Sequence, residues 1–327
     1  MKTLNFSKLS GQGNDFIIIN ATKEKVKLST SQITNMCDRH FGIGADGLIL
    51  IRKSDVANFY MDFYNQDGSA AEMCGNGIRC MAYFIGQKNL SNKSEIKIET
   101  LAGIKDIEIK IDSVGSVNSN AAKEFNNVNN EAKIIRNIRV NMGNPEFTPQ
   151  KIPVDISRDN SFSDGVDNFN TGKDKDADSS SAERILNYPI KIEENRFSIN
   201  CVSMGNPHCV IFLDETFNLE KIPIGSWGPA IENYPIFPNK TNAGFVRVKN
   251  KNEITMRVWE RGVGETLACG TGACAASVCS IILGKTSGAK IKVNLPGGIL
   301  DIYWKGKDFP VFLEGSVVHI FDGKYFL

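Results

Sequence analysis

The chain has 327 residues, 41% of them apolar, with 38 basic side chains against 37 acidic ones. This length exceeds what one core comfortably serves, so two domains are expected. The near-cancellation of charge removes the electrostatic ground for a nucleic acid or an anionic membrane as main partner and points to a small molecule instead.

In chain order, MKTLNFSKLSGQGNDF lacks the continuous apolar stretch of a signal peptide. A cytoplasmic protein is expected, with its eight cysteines as thiols. STSQITNMCDRHF predicts a helix and LILI a strand after it. GIGADG, at 42 to 47, matches G-x-G-x-x-G but sits between them in the wrong order, since a dinucleotide fingerprint follows a strand and opens a helix. NAD is therefore not expected. Cys37 and His40 form a C-x-x-H half-site with no second half, so no metal is expected.

A strand at MDFY leads to Cys74-Gly-Asn-Gly, then to an apolar helix, IRCMAYFIGQKN, expected to stop at Gly86. Alternation at Ile96 and Ile98, and at Ile107, Ile109 and Ile111, predicts half-buried strands. Two tracts break the pattern. One is Asn-rich, from 113 to about 130; the other, 155–184, holds eight acids against four bases with few large apolar side chains. Such a composition cannot bury enough surface to offset the entropy of ordering, so a disordered insertion is expected. The longest apolar run, Ala273 to Leu283, is too short to cross a bilayer and reads as a buried helix stopping at Gly284.

The chain repeats itself. MDFYNQDGSAAEMCGNG from Met61 lies over MRVWERGVGETLACGTG from Met256, placing Cys269 195 positions after Cys74. Without a gap, IKIETLAGIKDI from Ile96 lies over IKVNLPGGILDI from Ile291. A weaker echo, GNDFIII from Gly13 over GNPHCVI from Gly205, has an offset of 192. Two copies of one unit follow from this.

Free cysteines are usually small buried hydrophobes, and Cys37, Cys80, Cys201, Cys209, Cys274 and Cys279 take that reading. Cys74 and Cys269 do not fit it. Each precedes a glycine-rich turn opening a helix, where backbone N–H groups and the positive end of the helix dipole favour a thiolate and an anionic ligand. Two such thiols facing one sp³ carbon from opposite sides would remove a proton on one face and return one on the other, inverting the carbon. One thiolate and one thiol suffice, the helix N-termini would hold the α-carboxylate, and no cofactor is needed.

The segments GQGNDF, GIGADGL, NQDGSAAEMCGNGIRC, SMGNPH, WERGVGETLACGTGAC and LPGG resemble the diaminopimelate epimerase family, across both halves and excluding the central insertion. The resemblance implies an α+β fold of two similar domains in pseudo-twofold arrangement, each a β-barrel-like mixed sheet around a central helix. Residues 1–140 form the first half, rejoined by a C-terminal strand at 316–327, and 141–315 the second. It implies a pyridoxal-independent isomerase that interconverts L,L- and meso-diaminopimelate. Cys74 and Cys269 match the two bases, and the main-chain amides of Gly75, Asn76, Gly270 and Thr271 would hold the reacting carboxylate. Asn14, Asn65, Asn206, Asn242, Glu260 and Arg261 resemble the set that reads the substrate, chiefly its distal end. A distal carboxylate suits Arg261 and amide donors, and a distal ammonium suits Glu260.

His208 is expected near the site, where tuning a thiol and a structural role are both open. His40 and His319 are read as structural and Trp259 as core. Gly47 departs from relatives that carry Gln there. The partner is a small amino acid, with neither nucleic acid nor membrane; the oligomeric state, a homodimer included, stays open. Rival readings are a proline-racemase-type enzyme, a phenazine-type isomerase, whose cysteine pair would be missing, and a non-catalytic thiol switch.

Overall fold

A computed structural model describes residues 3–112, 134–159 and 184–327. The chain divides into two units, Met1–Asn141 with Glu314–Leu327, and Met142–Leu313. Unit 1 runs β1 (Thr3–Gly11), β2 (Asn14–Asn20), α1 (Thr30–Cys37), β3 (Gly47–Arg52), β4 (Phe59–Asn65), α2 (Gly75–Gln87), β5 (Glu95–Thr100), β6 (Gly103–Asp112) and β7 (Ile134–Gly143). Unit 2 runs β8 (Tyr188–Ile192), β9 (Asn195–Ser203), β10 (Pro207–Phe212), α3 (Ile224–Glu232), β11 (Asn242–Asn250), β12 (Glu253–Glu260), β13 (Gly264–Thr266), α4 (Gly270–Ile282), β14 (Lys290–Leu295), β15 (Gly298–Tyr303) and β16 (Val311–Gly315). The last strand, β17 (Val318–Phe326), belongs to unit 1.

The two units share one pairing scheme. In unit 1, β1 pairs antiparallel with both β17 and β2. Then β2–β3 is parallel, β3–β4 antiparallel, β4–β5 parallel and β5–β6 antiparallel. In unit 2, β9 pairs antiparallel with β8 and β10. There β10–β11 is parallel, β11–β12 antiparallel, β12–β14 parallel and β14–β15 antiparallel. So β17, from the far end of the chain, takes in unit 1 the place that β8 takes in unit 2.

The second parallel crossover of each unit carries the enclosed helix, α2 between β4 and β5 and α4 between β12 and β14, and the first carries α1 or α3, as a parallel pair requires a long connection. α2 packs on β1, β2, β3 and β6; α4 packs on β9 to β12, β14 and β15. A helix enclosed this way must be apolar on most sides. Ile78, Met81, Ala82 and Ile85 of α2, and Ala273, Ala275, Ala276 and Val278 of α4, are fully buried. Each larger side chain contributes about 1.5–3 kcal/mol by leaving water. The described residues include no helix long and apolar enough to cross a membrane.

The helix stops differ from expectation in one place. α4 ends as expected, with Gly284 left-handed at φ 66° and bonds from Lys285 N–H to Ser280 O (2.9 Å) and Gly284 N–H to Ile281 O (3.0 Å). This is a Schellman ending. α2 instead passes through Gly86 to Gln87, and the left-handed residue is Asn89 at φ 52°, with Leu90 N–H to Ile85 O at 2.9 Å. Asn89 stands 195 positions before Gly284. Gly86 serves packing: a Cβ there would meet Ile135 Cδ1 at 2.8 Å.

Of the tract 155–184, residues 160–183 lie outside the described residues, as does all of 113–130. Its leading edge is tied down. Asp155 donates its N–H to Ile236 O at 2.8 Å, and Asp159 accepts from the hydroxyls of Tyr188 (3.0 Å) and Tyr234 (3.3 Å).

Candidate active site

In unit 1 the site is built on the start of α2. Cys74 is its N-cap residue, extended at φ −134°, ψ 123° and half-buried. The N–H groups of Gly75 and Asn76 lie ahead of the first intrahelical bond, Ile78 N–H to Cys74 O at 2.9 Å, and so face an incoming anion. The Cys74 thiol donates to Asn14 Oδ1 at 3.6 Å. Asn14 is held in turn: its Nδ2 donates to Asp46 Oδ2 at 2.6 Å, and Asp46 also accepts the Asp15 N–H (3.0 Å) and Arg39 Nη2 (2.6 Å). Arg39 bridges to Asp15, which pairs with Lys8 at 2.9 Å. Burial alone would raise the Asp15 pKa, but the bonds from Arg39 and Lys8 and the Lys8 charge outweigh it and hold the carboxyl at about 2.

Gly47 begins β3 without room for a side chain, because a Cβ would stand 2.6 Å from Tyr64 O and 2.7 Å from the Phe63 ring. Asn65 is exposed at the end of β4 and donates Nδ2 to Ser69 Oγ at 3.0 Å. Asn76 is buried, its Oδ1 accepting Arg79 Nη2 at 2.7 Å.

In unit 2 the equivalent helix start carries more polar groups. Cys269 is the N-cap residue of α4, at φ −119°, ψ 114°, and is buried. Its Sγ accepts the Gly272 N–H at 3.4 Å and lies 3.4 Å from Thr271 Oγ1. Glu260, at the end of β12, accepts from Thr266 Oγ1 and from the Cys269 thiol. Burial nevertheless raises its carboxyl above the ordinary range.

Gly272 leaves the space between the sulfur and His208 free of a side chain: a Cβ there would be 3.3 Å from Cys269 Sγ and 3.7 Å from His208 Cε1. His208 is buried, its Nε2 3.0 Å from Asn206 Oδ1. Burial, and secondarily the Arg261 charge, push its pKa down to about 3, so the imidazole is neutral near pH 7. Asn242, opposite His208 in the β10–β11 register, is buried and works on main chain: Nδ2 donates to Pro207 O at 2.7 Å, and Oδ1 accepts the Arg261 N–H at 2.9 Å. The exposed Arg261 donates Nη1 to Asn239 O at 3.2 Å.

In unit 2 Thr271, Gly272 and Glu260 meet the Cys269 sulfur, Asn206 bonds to His208, and Asn242 ties Pro207 to the Arg261 main chain; in unit 1 Asn14 meets the Cys74 sulfur, with Gly75 and Asn76 following it. Asn65 makes its described bond to Ser69. Sequence reasoning passed over the residues that position these groups. Asp15, Asp46 and Arg79 lie inside the quoted motifs yet received no role. Glu232 had no local signal: it is buried in α3, accepting Gly262 N–H at 2.9 Å and Trp259 Nε1 at 2.7 Å, and so fixes the turn after Glu260. Trp259 packs partly buried against the unit 2 core. His40 is exposed, and His319 Nε2 lies 2.9 Å from Asp322 Oδ1. The six remaining cysteines are buried; Cys201 and Cys209 oppose each other on β9 and β10, and burial first, then their mutual bond, raises the Cys201 pKa well above the ordinary thiol range.

The sequence model of the diaminopimelate epimerase family matches residues 6–123 and 200–320. A diaminopimelate epimerase of Halothermothrix orenii is 40% identical over 323 residues, 98% of this chain and 97% of that one. One of Leptospira biflexa is 38% identical over 321 residues, 98% of each. The chain belongs to the diaminopimelate epimerase family. Members of this family are isomerases, and so is this enzyme. Its fold recurs in a Bacillus anthracis phenazine biosynthesis protein of the PhzF family (TM-score 0.62, 15% identity, 100% of both chains). It recurs also in an Agrobacterium vitis hydroxyproline epimerase (TM-score 0.60, 9% identity, 98% of this chain and 92% of that one). At such identities the likeness concerns architecture alone.

Proposed function

We propose that this family member interconverts L,L- and meso-diaminopimelate by proton transfer between two cysteines at one α-carbon, serving lysine and peptidoglycan precursor synthesis in the cytoplasm. The observation that carries the reading is the equivalence of Cys74 and Cys269: each is the N-cap residue of the helix its own sheet encloses, 195 positions apart in a duplicated chain.

The chemistry follows from that placement. The α-carboxylate docks on the N–H groups of the helix starts, at Gly75 and Asn76 and at Gly270 and Thr271. A thiolate takes the α-proton and becomes a thiol, and the electron pair left on carbon delocalises into the carboxylate, whose growing charge the same donors stabilise. The second thiol delivers its proton to the opposite face and becomes the thiolate. Configuration inverts, one thiolate is consumed and one is formed, and the opposite substrate hand runs the sequence backwards. No cofactor enters this reading.

Glu260 gains a role beyond meeting a distal ammonium. As an acceptor for the Cys269 thiol it orients the S–H and can exchange a proton with the sulfur between turnovers. Asn14 does the orienting for Cys74. Arg261, exposed beside Asn242, suits a distal carboxylate.

The test is conversion of L,L-diaminopimelate to the meso form in deuterium oxide, with deuterium at the inverted carbon. Turnover of free proline or hydroxyproline with none of diaminopimelate would favour the proline-racemase reading instead, and redox-dependent partner binding without turnover would favour a thiol switch.

A further inference from the structure

Arg79 is a fully buried cation in the second turn of α2. Its side chain folds back along the helix towards the N-terminus. Nη1 donates to Gly75 O at 2.9 Å, and Nη2 donates to Asn76 Oδ1 at 2.7 Å and to Gln12 Oε1. These acceptors are the two residues that follow Cys74, and a residue of the β1–β2 turn that also carries Asn14. Gln12 is itself buried in the left-handed region, φ 55°, and its Nε2 donates to Ser316 O at 3.3 Å. Gly11 lets the guanidinium approach: a Cβ there would stand 3.3 Å from Arg79 Nη2.

The position equivalent to Arg79 in unit 2, 195 residues on, is Cys274, which is neutral and buried. Beside Cys269 the Glu260 carboxyl accepts the thiol, His208 is neutral, and Arg261 is exposed with its guanidinium bonded to Asn239 O. The other charges linked to Cys74 through Asn14 form a closed set, Asp15 and Asp46 against Lys8 and Arg39, so Arg79 is the cation beyond that set at this helix start, while the other helix start has a carboxyl beside it. A cation near a thiol favours the thiolate and an anion disfavours it, more strongly in a buried setting than in water.

We propose that Arg79 is a positioning residue for Cys74: its buried guanidinium adds to the α2 helix dipole and makes Cys74, rather than Cys269, the thiolate of the resting enzyme. The inference rests on the reading of these two cysteines as the acid–base pair and names which member starts as base. It also gives Asn76 its fixed side chain, so that the amide presented to the carboxylate stays in place.

The test is alkylation of the full-length enzyme by iodoacetamide from about pH 5 to about pH 10, read separately at each cysteine by peptide mass spectrometry. The pH midpoint is the readout, because it follows ionisation of the thiol, whereas access of the reagent alters the plateau rate; burial also moves the midpoint, so the shift caused by Arg79→Met at Cys74 is the decisive comparison. In the unaltered enzyme the Cys74 midpoint should lie below that of Cys269 by about one unit or more. Arg79→Met should raise the Cys74 midpoint by about one to two units and leave that of Cys269 in place. Arg79→Lys, which keeps the charge but not the forked bonding, should restore most of the difference.

Cys269 ionising first in the unaltered enzyme overturns the proposal. So does an unmoved Cys74 midpoint in a folded Arg79→Met variant. If Arg79→Met does not fold, an Arg79→Lys variant with Cys74 ionising after Cys269 overturns it equally. Alkylation needs no turnover, so this result is separate from the fate of the epimerase reading, which is tested by inversion of diaminopimelate in the unaltered enzyme and the cysteine variants.

Discussion

The Sγ of Cys269 accepts the N–H of Gly272 at 3.4 Å, so the sulfur caps the helix it precedes while its own proton is directed to Glu260. The thiol is held from both sides, as an acceptor and as a donor. Glu260→Gln keeps the shape but removes the charge. Its expected outcome is a Cys269 alkylation midpoint lower by about one unit and turnover reduced by about 10²-fold, with little change in melting temperature. Peptide-level alkylation and steady-state kinetics check both.

Cys74 is oriented through a longer chain, from its thiol to Asn14, to Asp46, to Arg39 and Asp15. Asp46→Ala leaves Asn14 without its 2.6 Å partner and loosens the acceptor on the sulfur. The expected result is a fall of about tenfold in kcat with a smaller change in KM, because orientation of a reacting group is felt mainly in the transition state. Single-turnover kinetics on each substrate hand would show it.

His208 sets a stability limit on the acid side. Its folded pKa, about 3, is depressed by burial below the unfolded value near 6.5, so its contribution is fully present above about pH 6.5 and is lost as the pH falls towards 3. The slope approaches about 1.4 kcal/mol per pH unit. Glu260, raised by burial, works with the opposite sign, which makes the comparison with His208→Gln the informative one. Chemical denaturation between about pH 6.5 and 4 should show a steep loss of stability in the unaltered enzyme and a flatter one in the variant.

Asn89 and Gly284 hold the same left-handed place after their helices, at φ 52° and 66°. Glycine takes that conformation at less steric cost than asparagine. Asn89→Gly should therefore cost little or stabilise by a few tenths of a kcal/mol, whereas Gly284→Ala should destabilise by about 1 kcal/mol, both measured by denaturant unfolding.

The paired cysteines were legible because duplication writes itself into spacing: the same offset relates Cys74 to Cys269, and α2 and β5 to α4 and β14, end for end. The enclosed helices were legible because a helix wrapped by a sheet has to be apolar on most sides. The stop of α2 was misplaced at Gly86 because a glycine packed against Ile135 looks, in sequence, like a glycine that ends a helix. The supporting polar groups were hidden for a different reason. Asp46 and Arg39 reach Asn14 across strands, and Glu232 reaches Gly262 from another helix, so no local pattern marks them. Glu260 was legible as a site residue but not as the partner of a thiol, since that bond depends on how β12 runs past the start of α4.

In the proposed reaction Cys74 and Cys269 each serve one face of a single α-carbon. The most direct measurement follows inversion and solvent deuterium uptake for L,L- and meso-diaminopimelate in the unaltered enzyme, in Cys74→Ala and in Cys269→Ala. Inversion with deuterium at the inverted carbon is expected in the unaltered enzyme, and no net inversion in either variant. Undiminished inversion by a folded Cys74→Ala or Cys269→Ala enzyme would contradict it.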